Sequence, residues 1–196
     1  MHISEGILTA PVLGTGAALA VAGTAVGLRR MDYDRIARAG IMAAAFFIAS
    51  LVHVPIGPTN IHLILNGLVG LLLGWAAFPA ILTALLLQAV MFQYGGLTTL
   101  GVNTVIMALP AVVVHLLCAP FIRRSNGSRV IAAFAAGLVG ILLSGLLMAL
   151  SLMFVSEGFF KIVPVIIASQ VPLMIIEGII TAAVITFILK VRPEML

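Results

Sequence analysis

Residues 130–155 read VIAAFAAGLVGILLSGLLMALSLMFV, a run of consecutive positions without a single charged side chain. A helix of about 20 apolar residues spans the hydrocarbon core of a bilayer, so this stretch alone predicts a membrane-spanning helix. The rest of the chain has the same character, because 63% of its 196 residues are apolar and 8% are charged. Soluble domains carry about 25% charged residues. The composition therefore excludes a soluble enzyme, a disordered chain and a nucleic-acid-binding module.

Apolar runs of this kind predict an all-α integral membrane protein with seven transmembrane helices. The runs cover residues 7–28, 39–54, 61–73, 77–92, 102–122, 130–155 and 162–189. Seven spans of about 20 residues use about 140 positions, which leaves short loops and no second domain. We therefore expect residues 1–196 to form a single transmembrane domain.

The distribution of positive charge predicts the orientation of this domain. Of the ten Lys and Arg residues, nine follow the first, fifth and seventh runs, and Lys161 follows the sixth. Positively charged loops face the cytoplasm. The C-terminus is therefore expected inside and the N-terminus outside. Before Arg29 only the terminal amine is positively charged, and the first apolar run is too long for a signal peptide, so we expect it to be a retained helix.

The N-terminus carries an unusual group of potential metal ligands, Met1-His2-Ile3-Ser4-Glu5-Gly6. The free α-amine and the amide nitrogen of His2 close a five-membered chelate ring, and that amide and the nearer imidazole nitrogen close a six-membered ring. Three nitrogens then occupy three corners of a square. Planar nitrogen coordination suits Ni(II) or Cu(II), and imidazole also suits other late first-row metals. The metal must displace the proton of the His2 amide, which Mg(II) and Ca(II) cannot do, so these two ions are excluded.

A second group of histidines flanks a Gly/Pro-rich turn on the same side of the membrane. Residues 50–66 read SLVHVPIGPTNIHLILN, with His53 before the turn and His62 after it. Irregular backbone at membrane depth is tolerated where it is buried in protein or lines a cavity. A histidine here can supply the fourth nitrogen. Residues 93–103 form a further outer stretch without a strong ligand, which either orients the imidazoles or is an ordinary loop.

These motifs resemble the substrate-binding membrane component of energy-coupling-factor cobalt and nickel importers, the CbiM/NikM family. The resemblance is carried by Met1-His2-Ile3-x-Glu5-Gly6, by Pro55-x-Gly57-Pro58-Thr59-x-x-His62 and by Gly95-Gly96-Leu97-Thr98-x-Leu100-Gly101-Val102-Asn103. It implies a metal site formed by the amine of Met1, the backbone nitrogen and imidazole of His2, and the imidazole of His62. The turn reads Ile-Gly-Pro-Thr where relatives often read Pro-Gly-Gly-Thr, but the spacing to His62 is kept.

The resemblance implies a transport subunit of a prokaryotic cell membrane that captures Co(II) or Ni(II) outside. The sequence does not choose between the two metals, because both accept nitrogen ligands. No Gly-x-x-x-x-Gly-Lys-Ser/Thr phosphate-binding loop occurs, so the chain is not expected to be an ATPase. Expected partners are a transmembrane coupling subunit and cytoplasmic ATPase subunits, and the sequence leaves open whether a small accessory membrane subunit is also required. The transported ion is the expected ligand, with no other cofactor and no nucleic acid.

Several other polar residues are expected to support the site rather than bind the metal. They are Glu5, His53, Thr59, Asn60 and Asn103. For His115, within the fifth run, we expect a structural role. Glu177 lies near the middle of the seventh run, where a lone carboxylate costs about 2.5–3.5 kcal/mol and so needs partners inside the bundle. We expect these partners to be Gln88 or Asn103.

Two other functions are alternatives to the transport subunit. A membrane electron carrier could hold haem between His53 and His115, but these residues are expected near opposite faces of the membrane. An intramembrane metalloprotease would need a His-Glu-x-x-His motif, which the sequence lacks. The haem protein is therefore the main alternative to the transport subunit.

Overall fold

The computed structural model describes residues 2–56, 59–122, 124, 126–155, 158, 161 and 163–193, with the backbone alone for residues 34, 53–56, 59–61 and 126. This part of the chain is predominantly helical, with one short hairpin. Its helices are α1 (Ala10–Arg29), α2 (Tyr33–Leu51), α3 (Asn66–Leu73), α4 (Ala77–Phe92), α5 (Leu100–Ile122), α6 (Asn126–Met153) and α7 (Val163–Val191). A 3-10 turn, Gly74–Ala76, joins α3 to α4, and the hairpin consists of β1 (His53–Ile56) and β2 (Thr59–His62).

Five helical stretches of the described chain are long and apolar enough to cross a membrane. They are Ala10–Arg29, Asn66–Phe92, Leu100–Ile122, Gly127–Met153 and Val163–Val191. Helix α2, which carries Asp34, Arg35 and Arg38, is not among them. The predicted helical membrane architecture is confirmed, whereas the prediction of seven spans is not.

Helix α3 runs alongside α5 in the same direction. Gly70 packs so closely on the backbone of Ala111 that a Cβ atom would collide with it. One turn further along both helices, Gly74 packs against the ring of His115. All eight residues of α3 are buried. This short helix therefore lies in the interior of the bundle, with protein rather than lipid around it.

The chain then reverses at Gly74, whose φ of +55° and ψ of −124° lie outside the helical region. Just after the turn, Phe78 packs on Gly23, near the C-terminal end of α1. Toward the other end of α4, Gln88 contacts His2, which precedes α1. Helix α4 thus returns toward the N-terminus of the chain. Residues 66–92, although long and apolar enough as a whole to cross a membrane, therefore consist of two helices of opposite direction and not of one continuous span. The break lies between residues 73 and 77, where the sequence predicts it.

The hairpin replaces the predicted end of the second helix and the predicted start of the third. Its strands are antiparallel, with His53 opposite His62 and Ile56 opposite Thr59. The prediction that these helices include residues 52–54 and 61–65 is wrong. Pro55 explains the first boundary, because proline lacks a backbone N–H and disfavours the helical conformation of the residue before it. The second boundary follows from Leu65, whose φ of +55° is left-handed.

The backbone between the hairpin and α3 is held by a carboxylate from α7. Glu177, fully buried, accepts hydrogen bonds from the backbone nitrogen of Ile64 at 2.5 Å and from that of Leu65 at 2.8 and 3.1 Å. The prediction that Gln88 or Asn103 would be its partner is therefore wrong. The first N–H groups of a helix have no partner within the helix. Glu177 thus satisfies the backbone where α3 begins.

Candidate metal-binding site

The two histidines predicted to share a site meet in the structure. The ring centroids of His2 and His62 are 4.9 Å apart, and the ring planes make an angle of 30°. His2 comes from the N-terminal segment and His62 from the last position of β2. His62 is buried, with 5% of its surface exposed. Met1, the third predicted ligand, lies outside the described residues.

The N-terminal segment is fixed by a reciprocal pair of hydrogen bonds to α5. The backbone nitrogen of Ile3 donates to Oδ1 of Asn103 at 2.9 Å, and Nδ2 of Asn103 donates to the carbonyl of Ile3 at 3.0 Å. The side chain of Ile3 is almost completely buried. Asn103 was expected to orient an imidazole. It instead positions the backbone that follows His2, and this placement brings His2 toward His62.

Gly95 and Gly96, in the loop before α5, leave space for the N-terminal segment. Oε1 of Glu5 accepts a hydrogen bond from the backbone nitrogen of Thr98 at 3.1 Å. Gly96 has a φ of +143°, which L side chains rarely adopt, and a Cβ there would overlap the side chain of Glu5. A Cβ at Gly95 would lie 2.9 Å from Nδ2 of Asn103. The loop between α4 and α5 therefore follows the N-terminal segment closely, and Glu5 binds this loop.

The local contact of His62 assigns the tautomer of its ring. Nδ1 lies 3.0 Å from the carbonyl oxygen of Leu63. A carbonyl oxygen can only accept, so Nδ1 carries the proton in this contact. In the neutral ring the lone pair is then on Nε2. A histidine ligand whose other ring nitrogen donates to a backbone carbonyl is the usual arrangement in metal sites.

Gln88 is a residue of the site that the sequence analysis missed. Its Oε1 lies 2.9 Å from Nε2 of His2, and its side chain is fully buried in α4. The sequence suggested Gln88 only as a partner of Glu177. In the sequence, Gln88 is an amide within a largely apolar helix. Such a residue indicates a buried partner, because polar groups at membrane depth are costly without one.

The remaining predicted residues fall into two groups. His53, Thr59 and Asn60 lie in the hairpin, where the structure describes their backbone only. His115 has its Nδ1 3.1 Å from the carbonyl oxygen of Gly70, near the C-terminal end of α3. The hairpin precedes the N-terminal end of α3, so His53 and His115 lie at opposite ends of that helix. This separation does not favour a haem held between them.

Side chains alone do not make a metal site in the part of the chain that the structure describes. No group of three or more His, Cys, Asp or Glu side chains is close enough there to hold an ion. Besides the imidazoles of His2 and His62, the sequence also offers ligands that are not side chains. Terminal and backbone nitrogens of the N-terminal segment are the nearest candidates in the sequence.

Comparisons with known proteins identify the family. The family model described as "CbiM: Cobalt uptake substrate-specific transmembrane region" matches residues 2–195. A Haemophilus influenzae protein provisionally named a metal transport protein is 44% identical, over the whole of this chain and 97% of its own length. An Archaeoglobus fulgidus protein provisionally named a fused nickel transport protein, NikMN, is 34% identical, over the whole of this chain and 68% of its own length.

A solved structure has the same fold over nearly its full length. A crystal structure described as a truncated transition metal transporter superposes with a TM-score of 0.81 at 25% identity. The match covers 97% of this chain and 99% of the solved chain. With its apolar helices, the protein is a multi-pass membrane protein of a prokaryotic cell. The chain belongs to the CbiM family of cobalt-uptake substrate-specific transmembrane proteins.

Proposed function

We propose that the chain is the metal-binding subunit of an energy-coupling-factor importer and captures Co(II) or Ni(II) at the outer face of the membrane. The observation that carries this proposal is the contact between His2 and His62, with ring centroids 4.9 Å apart. Their approach brings an N-terminal histidine to a second imidazole inside a membrane bundle. Imidazole nitrogen is a good ligand for both metals.

The proposed ligands are four nitrogens in a plane. The amine of Met1, the backbone nitrogen of His2 and Nδ1 of His2 form the chelate, and Nε2 of His62 fills the fourth corner. The hydrogen bond between Nδ1 of His62 and the carbonyl of Leu63 supports the choice of Nε2. The two bonds between Ile3 and Asn103 support the proposal further, because they hold the chelating segment in place without using its ligand atoms.

The proposed partners follow from what the sequence lacks. The chain has no phosphate-binding loop of its own, so ATP hydrolysis must come from other subunits. We propose cytoplasmic ATPases, a transmembrane coupling subunit and a small accessory membrane subunit. The name of the Archaeoglobus relative, a fused transport protein, supports assembly with further components. The single transmembrane domain of residues 1–196 would then supply recognition of the ion.

The proposal predicts direct metal binding by the isolated chain. Purified in detergent with a native N-terminus, the protein should bind one Co(II) or Ni(II) per molecule in equilibrium dialysis. Mg(II) and Ca(II) should not compete, because they cannot displace the amide proton of His2. In cells, uptake should require co-expression of the coupling and ATPase subunits. Failure of the isolated chain to bind either metal would refute the proposal.

The proposed orientation predicts which positions can be labelled from outside the cell. In a Cys118→Ala background, Ser4→Cys should react with a membrane-impermeant maleimide added to intact cells. Arg124→Cys, after α5, should react only once the membrane is permeabilised. Both positions are exposed in the structure, so accessibility within the protein does not limit the reaction. Labelling of Arg124→Cys in intact cells would reverse the orientation and contradict capture at the outer face.

A further inference from the structure

A chain of three hydrogen bonds connects helix α2 to the ring of His2. The hydroxyl of Ser50 lies 2.7 Å from the carbonyl oxygen of Phe47. Nε2 of Gln88 contacts Oγ of Ser50, and Oε1 of Gln88 lies 2.9 Å from Nε2 of His2. Ser50 and Gln88 are both fully buried. We call these two side chains the Ser50–Gln88 relay.

The carbonyl oxygen of Phe47 determines which group is donor and which is acceptor in each hydrogen bond of the relay. The carbonyl of Phe47 can only accept, so the hydroxyl of Ser50 donates its single proton to it. The oxygen of Ser50 is then left to accept, and it accepts from the amide NH₂ of Gln88. The amide oxygen of Gln88 therefore faces His2. Because that oxygen can only accept, Nε2 of His2 must donate.

The relay therefore determines which nitrogen of His2 can bind a metal. A neutral imidazole carries one proton, and here that proton is on Nε2. The lone pair is on Nδ1, the nitrogen that closes a six-membered ring with the backbone nitrogen of His2. If the amide of Gln88 were reversed, its NH₂ would face Nε2 and favour the tautomer with the proton on Nδ1. That tautomer cannot form the chelate.

We infer that Ser50 and Gln88 are positioning residues for metal capture, which hold the imidazole of His2 in the tautomer and orientation that bind the ion through Nδ1. This inference rests on the proposed function, because it assumes that His2 is a ligand. A buried amide satisfied by two neighbours also explains why α4 carries a glutamine at membrane depth. Partners that hold the non-ligating nitrogen of a histidine typically contribute 10–100-fold to metal affinity.

Binding measurements on the full-length chain test the relay. Gln88→Met should raise the dissociation constant for Ni(II) by about 10–100-fold. Gln88→Glu should restore tight binding, because a carboxylate oxygen accepts the same proton from Nε2 of His2. Ser50→Ala should weaken binding in the same direction as Gln88→Met, because it removes the acceptor that orients the amide of Gln88. The matched control is Gln170→Met, which removes another buried amide, from α7, and should leave nickel binding unchanged.

The tautomer itself is observable by NMR of protein labelled with ¹⁵N-histidine. In the metal-free unsubstituted chain, His2 should carry its proton on Nε2, and Gln88→Glu should keep it there. In Ser50→Ala the population with the proton on Nδ1 should increase. A purely structural role of the relay would not change this ratio. At saturating nickel, all variants should show the same ligand-field absorption, because the ligands themselves are intact.

The possible results separate the relay from the proposed function. Binding by the unsubstituted chain, with unchanged affinity in both Gln88→Met and Ser50→Ala, would overturn the relay alone. Equal weakening by Gln170→Met would also overturn it, since the effect would then be general loss of packing. If Gln88→Met does not insert, Ser50→Ala decides, because it removes only a hydroxyl. If the unsubstituted chain binds neither metal, the proposed function fails and the relay fails with it.

Discussion

His62→Ala is expected to abolish stoichiometric binding of Co(II) and Ni(II) by the purified chain. The substitution removes one of four proposed ligands, so the loss should exceed the roughly 100-fold effect typical of a supporting partner. Folding should be preserved, because the backbone after His62 is held by hydrogen bonds that the nitrogens of Ile64 and Leu65 donate to Glu177. Equilibrium dialysis of the variant in detergent measures the loss, and its elution as a single species confirms the fold.

The matched control for this experiment is His115→Ala. His115 bonds the carbonyl of Gly70 within α3 and packs against Gly74, just beyond the end of α3 that lies away from His62, so its removal should leave metal binding nearly unchanged. The pair of variants distinguishes a ligand from a buried histidine of structural role. Stoichiometric nickel or cobalt bound by His62→Ala would show that the fourth ligand has been assigned wrongly.

An N-terminal extension of one residue is expected to reduce metal uptake to the background level. It converts the proposed amine ligand of Met1 into an amide and moves the histidine to the third position. A histidine there lets the peptide alone fill all four corners of the square with nitrogen, which excludes His62. Helix α1 should still insert, because its apolar stretch starts at Ala10 and is not altered. Uptake is measured in cells that also contain the partner subunits, at matched amounts of membrane-inserted protein.

A tag of the same length at the C-terminus is the control for the extension. In the proposed orientation that end lies in the cytoplasm, on the opposite side of the membrane from the metal site, so uptake should be normal. Mass spectrometry must show that the N-terminal extension has not been cleaved. Normal uptake by an intact extended chain would mean that the amine is not a ligand, and the planar four-nitrogen site would be wrong.

The helical architecture was predictable because charge-free apolar runs have few alternatives in a bilayer. The predicted helix boundaries were wrong in two places where apolar residues are not helical, at the end of α2 and before α3. Residues 61–65 are apolar apart from His62, and apolar character alone does not distinguish a strand from a helix. The distinction here depends on Pro55, on the left-handed backbone of Leu65 and on the carboxylate of Glu177. Pro55 and Glu177 are visible in the sequence, whereas the left-handed backbone of Leu65 and its contact with Glu177 are not.

The site was partly predictable for a related reason. His2 stands out by its residue type and position, and the family resemblance favours His62 over His53 as its partner; the structure brings the rings of His2 and His62 together. Gln88 and Asn103 were visible as polar residues in apolar helices, but their partners were not. The contact between His2 and Gln88 joins residues 86 positions apart, and the contacts between Ile3 and Asn103 join residues 100 apart. Such pairings depend on how the helices pack, which no local pattern encodes.

The carboxylate of Glu177 has a thermodynamic consequence. It binds the backbone nitrogens of Ile64 and Leu65, which directly follow the segment that carries His62. A change in the position of α7 is therefore expected to change the position of the His62 imidazole at the candidate site. If bound metal favours one placement of α7, a partner protein that favours the same placement raises the affinity for the metal. Bound metal raises the affinity for that partner by the same factor, because coupling between two binding equilibria is reciprocal. A partner that pulls α7 away from α3 would lower the affinity by the same rule, and would favour release of the ion.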